Sequence, residues 1–214
     1  MRLVVLVVAL LAGTAHAGFF CDEDPNPVEL KALEVYAKSK TTTPDLGGAW
    51  ICLGNTQKPK LTKRTLAACE TVLDREPKNE MCNTIVAKLG QATLGKHDIL
   101  AWVERQPLEP WNVNSSMPSY PFWLLQALAD PRASAFIVDK WKTLIPIEAK
   151  HEKSSGWMSD WSGWRQHAAE ALGAGANDAD TITFLKEQAG LTKDTHVKDA
   201  CLTAAAAIEN RDVK

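Results

Sequence analysis

Basic stripes, paired metal-ligand cysteines and nucleotide-binding loops are all missing from this 214-residue chain, and each gap removes a class of function. Lysine and arginine number 24 against 26 acidic residues, a net charge of -2, and no basic run stands out. A nucleic-acid partner held by electrostatics needs such a run to displace counterions, so none is expected. The five cysteines lie 31, 17, 13 and 119 residues apart, never at the two-residue spacing of zinc ribbons or thioredoxin-like sites. No Gly-x-Ser-x-Gly elbow, phosphate-cradling glycine loop or dinucleotide fingerprint occurs, and no cofactor is expected. Convergent triads carry no sequence signature, so these absences bear only on the common enzyme architectures. Strand-like alternation between Gly or Asn turns is missing as well, and no strands are predicted.

One near-motif needs testing. His151-Glu152 opens like a zinc-protease helix, but that chemistry needs a second imidazole one helical turn later, where Ser155 stands. His151, Glu152, Asp160 and His167 are of types that could converge on a metal or serve a small hydrolase. Lys153 to Trp157 reads as a solvated linker, so ordinary surface polar residues are preferred and no metal site or catalytic residue is assigned. A small secreted hydrolase or metal-dependent enzyme around His151 and His167 stays as the alternative reading.

The one long apolar run sits at the start. Arg2 supplies a positive charge, Leu3 to Ala12 are unbroken apolar residues, and Ala15-His16-Ala17 places small residues where a signal peptidase inspects the chain. Residues 1–17 therefore read as a cleaved signal peptide, with an N-terminal extension at 18–25 and one helical domain at 26–214. The run is too short to cross a bilayer, and no second one follows, so stable membrane insertion is not expected after cleavage. Cys21 follows Phe19 and Phe20 rather than a small residue, which argues against a lipid anchor. The mature chain would keep 23 basic residues against 26 acidic ones, a net charge of -3. It is expected in a periplasm or outside the cell.

An oxidising compartment favours disulfides. Cys21, Cys52, Cys69 and Cys82 crowd the first third of the chain and allow three pairings, of which Cys21 with Cys52 and Cys69 with Cys82 is preferred. Cys201 shares a helical face with Val197, Ala204 and Ile208 and reads as a small buried hydrophobe.

Helical periodicity is the strongest positive pattern. Met81, Ile85 and Leu89 recur every four residues, and Val197, Cys201, Ala204 and Ile208 nearly so. Caps and terminators place helices near 26–39, 45–54, 61–74, 81–91, 96–105, 119–129, 131–144, 160–173, 178–189 and 195–209. Asp130-Pro131 supplies a cap and a first-turn proline, while Gly54, Gly90, Gly173 and Gly190 are expected terminators. Helices this short are marginal alone and must pack on neighbours.

The segments also repeat. Leu53-Gly54, Leu89-Gly90, Leu128-Ala129 and Leu172-Gly173 follow one another at 36, 39 and 44 residues, and the stretch from Trp164 to Gly173 returns, degraded, from Val197 to Ala206. Such periods mark an α-solenoid. With these runs and the Asn177-Asp178-Ala179-Asp180 turn, residues 119–209 resemble the HEAT-repeat family. That resemblance implies an all-α fold, a short right-handed solenoid of about five antiparallel helix pairs with a concave groove. It also implies a scaffold or binding role toward a protein or peptide, without shared catalytic residues, and a monomer is expected. Pro107 to Pro118 and Pro146 to Asp160 depart from the pattern and read as a loop and an insertion.

Eight tryptophans are the unusual abundance. Trp157, Trp161 and Trp164 would stack along one helix face. They are read first as a seal against the preceding repeat and second as a binding surface, together with Trp111. Trp111 and Trp123 flank the proline loop with Tyr120 and Phe122, and Phe122 to Leu125 reads as core.

Overall fold

The computed structural model describes residues 27–39, 50–106, 119–155 and 163–212. The signal segment, Cys21, Trp111, Trp157, Asp160 and Trp161 lie outside these residues. What is described is mostly helical, as the periodicity predicts. In order the helices are α1 (Pro27–Lys38), α2 (Trp50–Leu53), α3 (Pro59–Arg75), α4 (Glu80–Lys88), α5 (Ile99–Glu104), α6 (Ser119–Leu128), α7 (Ser134–Ser155), α8 (Gly163–Gly175), α9 (Ala179–Leu191) and α10 (Thr195–Asp212). A 3-10 turn, Pro131–Ala133, leads into α7. No helix among the described residues is long and apolar enough to cross a membrane.

Contacts divide the chain into two compact units, Met1–Ile99 and Leu100–Lys214. The even spread of apolar residues along the sequence suggests one domain.

In the first unit α1 packs on α3, and α4 packs on both α3 and α2. Leu30, Leu33, Leu53, Val72, Leu73 and Ile85 are buried at the centre, as helical spacing requires. Asn79 caps α4 by accepting from the Cys82 N–H. Tyr36 ties α1 to the α3–α4 corner, donating its hydroxyl to Glu76 at 2.6 Å while the Arg75 guanidinium lies 5.2 Å from its ring centre. Between α4 and α5 stands a feature the sequence analysis does not predict, a small antiparallel hairpin pairing Thr93 with Asp98 and Leu94 with His97. Gly95 turns it at φ +55°, and Lys96 and His97 fasten it to Asp74 at 2.8 and 3.1 Å. Two-residue strands are too short to leave an alternating pattern.

Cys69 and Cys82 are both buried, and both thiols are free. The expected Cys69–Cys82 bridge is therefore not formed here. The two side chains do meet between α3 and α4, and the Cys69 thiol is pushed well up, first by its hydrogen bond with Cys82 and then by burial.

In the second unit α6 lies beside α8 and α8 beside α10, while α9 packs on α10. The 3-10 turn and α7 also contact α8. Three sequence expectations change. Pro146 does not end α7, which runs on to Ser155, so residues 146–155 of the expected insertion are helix. Pro146 cannot donate to the carbonyl one turn back, but its fixed φ remains helical. Gly173 and Gly190 do not terminate helices either, lying inside α8 and α9, whereas Gly90 has the expected positive φ of 73°. Ala129 at φ 47° ends α6 in their manner without being glycine.

Gly173 serves packing instead. A Cβ there would stand 2.8 Å from the Cβ and 2.9 Å from the Cα of Ala204, so α8 and α10 touch at nearly backbone distance. Gly173→Ala is expected to cost about 1–3 kcal/mol by overpacking. Gly190→Ala, with open space around it, should be neutral or gain up to about 1 kcal/mol from helix propensity. Urea unfolding of the two variants side by side checks this, and equal midpoints would remove the close-approach account.

Acid should weaken the fold through its paired surface carboxylates. Hydrogen bonds from Arg64, Lys96, Tyr36 and Arg132 hold Glu34, Asp74, Glu76 and Asp130, in that order, below the ordinary 4.5 of glutamate and 3.8 of aspartate. A depressed folded pKa contributes stability above the unfolded value and loses it as pH falls toward the folded one. The melting temperature is therefore expected to be level above about pH 5 and to drop from about pH 4.5 downward, less steeply in high salt. Calorimetry across that range is the check, and a melting temperature that rises on acidification would contradict it.

Candidate functional site

In the second unit a groove of about 1010 Å³ lies between α7, with its leading 3-10 turn, and α9. Helical spacing builds both walls. On α7 Ala135, Val138, Lys142 and Ile145 recur at three or four residues and so face one way. On α9 Asp180, Phe184 and Glu187 do the same, and Asp178 fixes the start of this wall by accepting from the Thr181 N–H at 2.7 Å.

The groove floor is aromatic. Trp141 is only 1% exposed, and its indole N–H donates to the Gln188 side-chain oxygen at 3.1 Å across the cleft. Its ring meets Phe184 edge-on at 5.6 Å. The Lys142 ammonium stands 5.9 Å from the Phe184 ring centre, within cation–π range. Ile145 remains 38% exposed on the opposite wall.

The rim is acidic. Asp139, Asp178, Asp180 and Glu187 stand against Arg132 and Lys142, and Arg132 is already forked onto Asp130 at 2.7–3.2 Å. An apolar floor with a few charged groups at the edge is the usual make-up of a binding cleft.

No protein family, curated protein or solved structure matches this chain.

The tryptophans chosen from sequence fall elsewhere. Trp164 is 1% exposed and packs against Trp141 at 5.5 Å and Phe122 at 6.2 Å, so it belongs to the core and offers no binding surface. The rest of the expected stripe, Trp157 and Trp161, lies outside the described residues. Phe122, Leu124 and Leu125 are buried as expected, whereas Trp123 is 46% exposed and meets His167 edge-on at 5.0 Å. His167 is further engaged by Glu170 at 3.2 Å.

Among the described residues no group of three or more His, Cys, Asp or Glu side chains could hold a metal. Cys201 is buried, and burial pushes its thiol up to about 11, partly opposed by Arg165. It therefore stays a neutral thiol near pH 7, the inert hydrophobe that its helical face suggests.

Sequence reasoning missed the groove. Trp141 and Phe184 sit 43 positions apart, and no local pattern joins them. The available signal was the spacing of Val138, Lys142 and Ile145, which extends the α7 stripe past the point where the helix was expected to stop.

Proposed function

We propose that this chain is an exported, HEAT-like α-solenoid that binds a protein or peptide partner along the α7–α9 groove. One observation carries the reading: α6, α8 and α10 lie side by side in chain order, and α9 pairs with α10. That order is what a helical repeat requires, because each unit buries its open apolar face on the next. The cleft lies between the alternate helices α7 and α9, and Phe184 and Ile145 offer apolar surface to an incoming chain. Export would accompany this role through the signal segment at 1–17, and a Cys21–Cys52 bridge would secure the start of the mature chain. The alternative remains a hydrolase or metal enzyme around His151 and His167, of which His167 meets Glu170 and Trp123.

The test joins location and binding. Mass spectrometry of the processed protein should show an N-terminus at Gly18. Mature protein should capture a partner from envelope extract that slows hydrogen exchange in α7 and α9, and Phe184→Ala should lose that partner while keeping its helical spectrum. Full capture by the variant, with protection elsewhere, would reject the groove as the contact.

A further inference from the structure

The groove's charge is arranged in a register, and that register identifies an occupant. Asp180 and Glu187 are seven residues apart on α9, which at 1.5 Å per residue places them about 10 Å apart along the helix axis. Phe184 lies between them on the same face. The α9 wall thus presents a carboxylate, an aromatic ring and a second carboxylate in line. Opposite stand Val138 and Ile145 on α7, with Ile145 partly exposed. Of the two cations in the lining, Arg132 is engaged by Asp130 and Lys142 reaches over the Phe184 ring, so the two α9 carboxylates outnumber the one remaining cation beside them.

A polyproline II segment rises about 3.1 Å per residue with three residues per turn, so side chains three positions apart share a face and stand about 9 Å apart. We infer that the groove takes a basic peptide segment in the polyproline II conformation, in which two lysines or arginines three residues apart flank apolar residues. The cations meet Asp180 and Glu187, and an apolar side chain between them enters beside Phe184 and Ile145. Charge complementarity at two fixed points sets direction and register, while apolar contact over the ring supplies most of the affinity. This inference rests on the groove being the binding surface proposed above.

The probe is a fluorescein-labelled peptide of about ten residues, with two lysines flanking two leucines in a glycine–serine background. Matched peptides carry glutamate or serine in place of both lysines. Fluorescence anisotropy with the full mature chain should show saturable binding of the lysine peptide, weakening as salt rises. Asp180→Asn with Glu187→Gln should weaken it by about fivefold to tenfold, the effect of removing two exposed ion pairs. Both positions are on the surface, and an unchanged circular dichroism spectrum would show that the variant is folded. Phe184→Ala should weaken all three peptides alike.

The outcomes separate the two ideas. If the serine or glutamate peptide binds as tightly as the lysine peptide, and Phe184→Ala weakens each, the groove stands and the basic occupant is rejected. An unchanged lysine-peptide affinity in the Asp180→Asn, Glu187→Gln protein also rejects it. If no peptide binds, or Phe184→Ala changes nothing, the groove reading falls with it.

Discussion

Trp164→Ala is expected to cost about 3–5 kcal/mol, a large share of the stability of a domain of this size. The side chain is 1% exposed on α8 and stands at a junction of rings. Phe122 of α6 stacks on one side at 6.2 Å, and Trp141 of α7 meets it at 5.5 Å on another. Trp141 in turn contacts Phe184 of α9 at 5.6 Å. Truncation would leave a cavity bordered by three helices, and the row of rings that reaches the groove would lose its middle member. The indole N–H of Trp164 is buried without a hydrogen-bond partner among the described residues. Trp164→Phe removes that unsatisfied donor, which offsets part of the lost area, so its cost should stay below about 1.5 kcal/mol. Denaturant unfolding followed by far-ultraviolet circular dichroism measures both variants. Similar losses for alanine and phenylalanine would mean that packing at this junction is not what Trp164 contributes.

How much of this was legible beforehand differs by element. The cores of α1, α3, α4, α6, α8, α9 and α10 follow from apolar stripes at helical spacing, because burial of one face leaves that signature in any context. Their ends were less legible. Gly173 has the composition of a terminator, yet the chain continues helically past it, since the absence of a side chain is used to admit Ala204. Pro146 likewise looks like a break, but proline prevents one hydrogen bond without forcing the chain to turn.

Sites were least legible of all. Trp164 stood out by abundance and spacing, but spacing alone cannot tell which face of a helix is covered. The same four-residue rhythm that suggests a ligand stripe also makes a core. Trp141 and Phe184, by contrast, meet across the groove between α7 and α9, a relation that depends on how α7 packs on α8 and α9 on α10. Cys69 and Cys82 do come together, as the preferred pairing required, whereas a covalent bond between them was not legible, because adjacency and oxidation are separate conditions.

Arg165 is the second position where one substitution should matter greatly, and for an electrostatic reason. Its guanidinium donates to the Glu148 carboxylate at 2.9 Å, with the side chains 18% and 5% exposed. Charges this far from water cost much to desolvate, and the pair persists because each compensates the other. Arg165→Met keeps the apolar stem but leaves the Glu148 carboxylate buried without its cation, so a loss of about 3–5 kcal/mol is expected. Combining it with Glu148→Leu should recover most of that loss, and could exceed the native protein, because the pair is imperfect: the Arg165 Nε is itself buried without a partner. The single variant should also respond to pH in a distinct sense. Without its cation, buried Glu148 favours the neutral form, its folded pKa rises above the unfolded one, and the deficit narrows as pH falls toward about 5. Packing loss alone would be indifferent to pH. Unfolding free energies for the two single variants and the double variant, at neutral and mildly acidic pH, decide between the accounts. Additive losses with no pH dependence would show that Arg165 contributes through its methylenes and not through its charge.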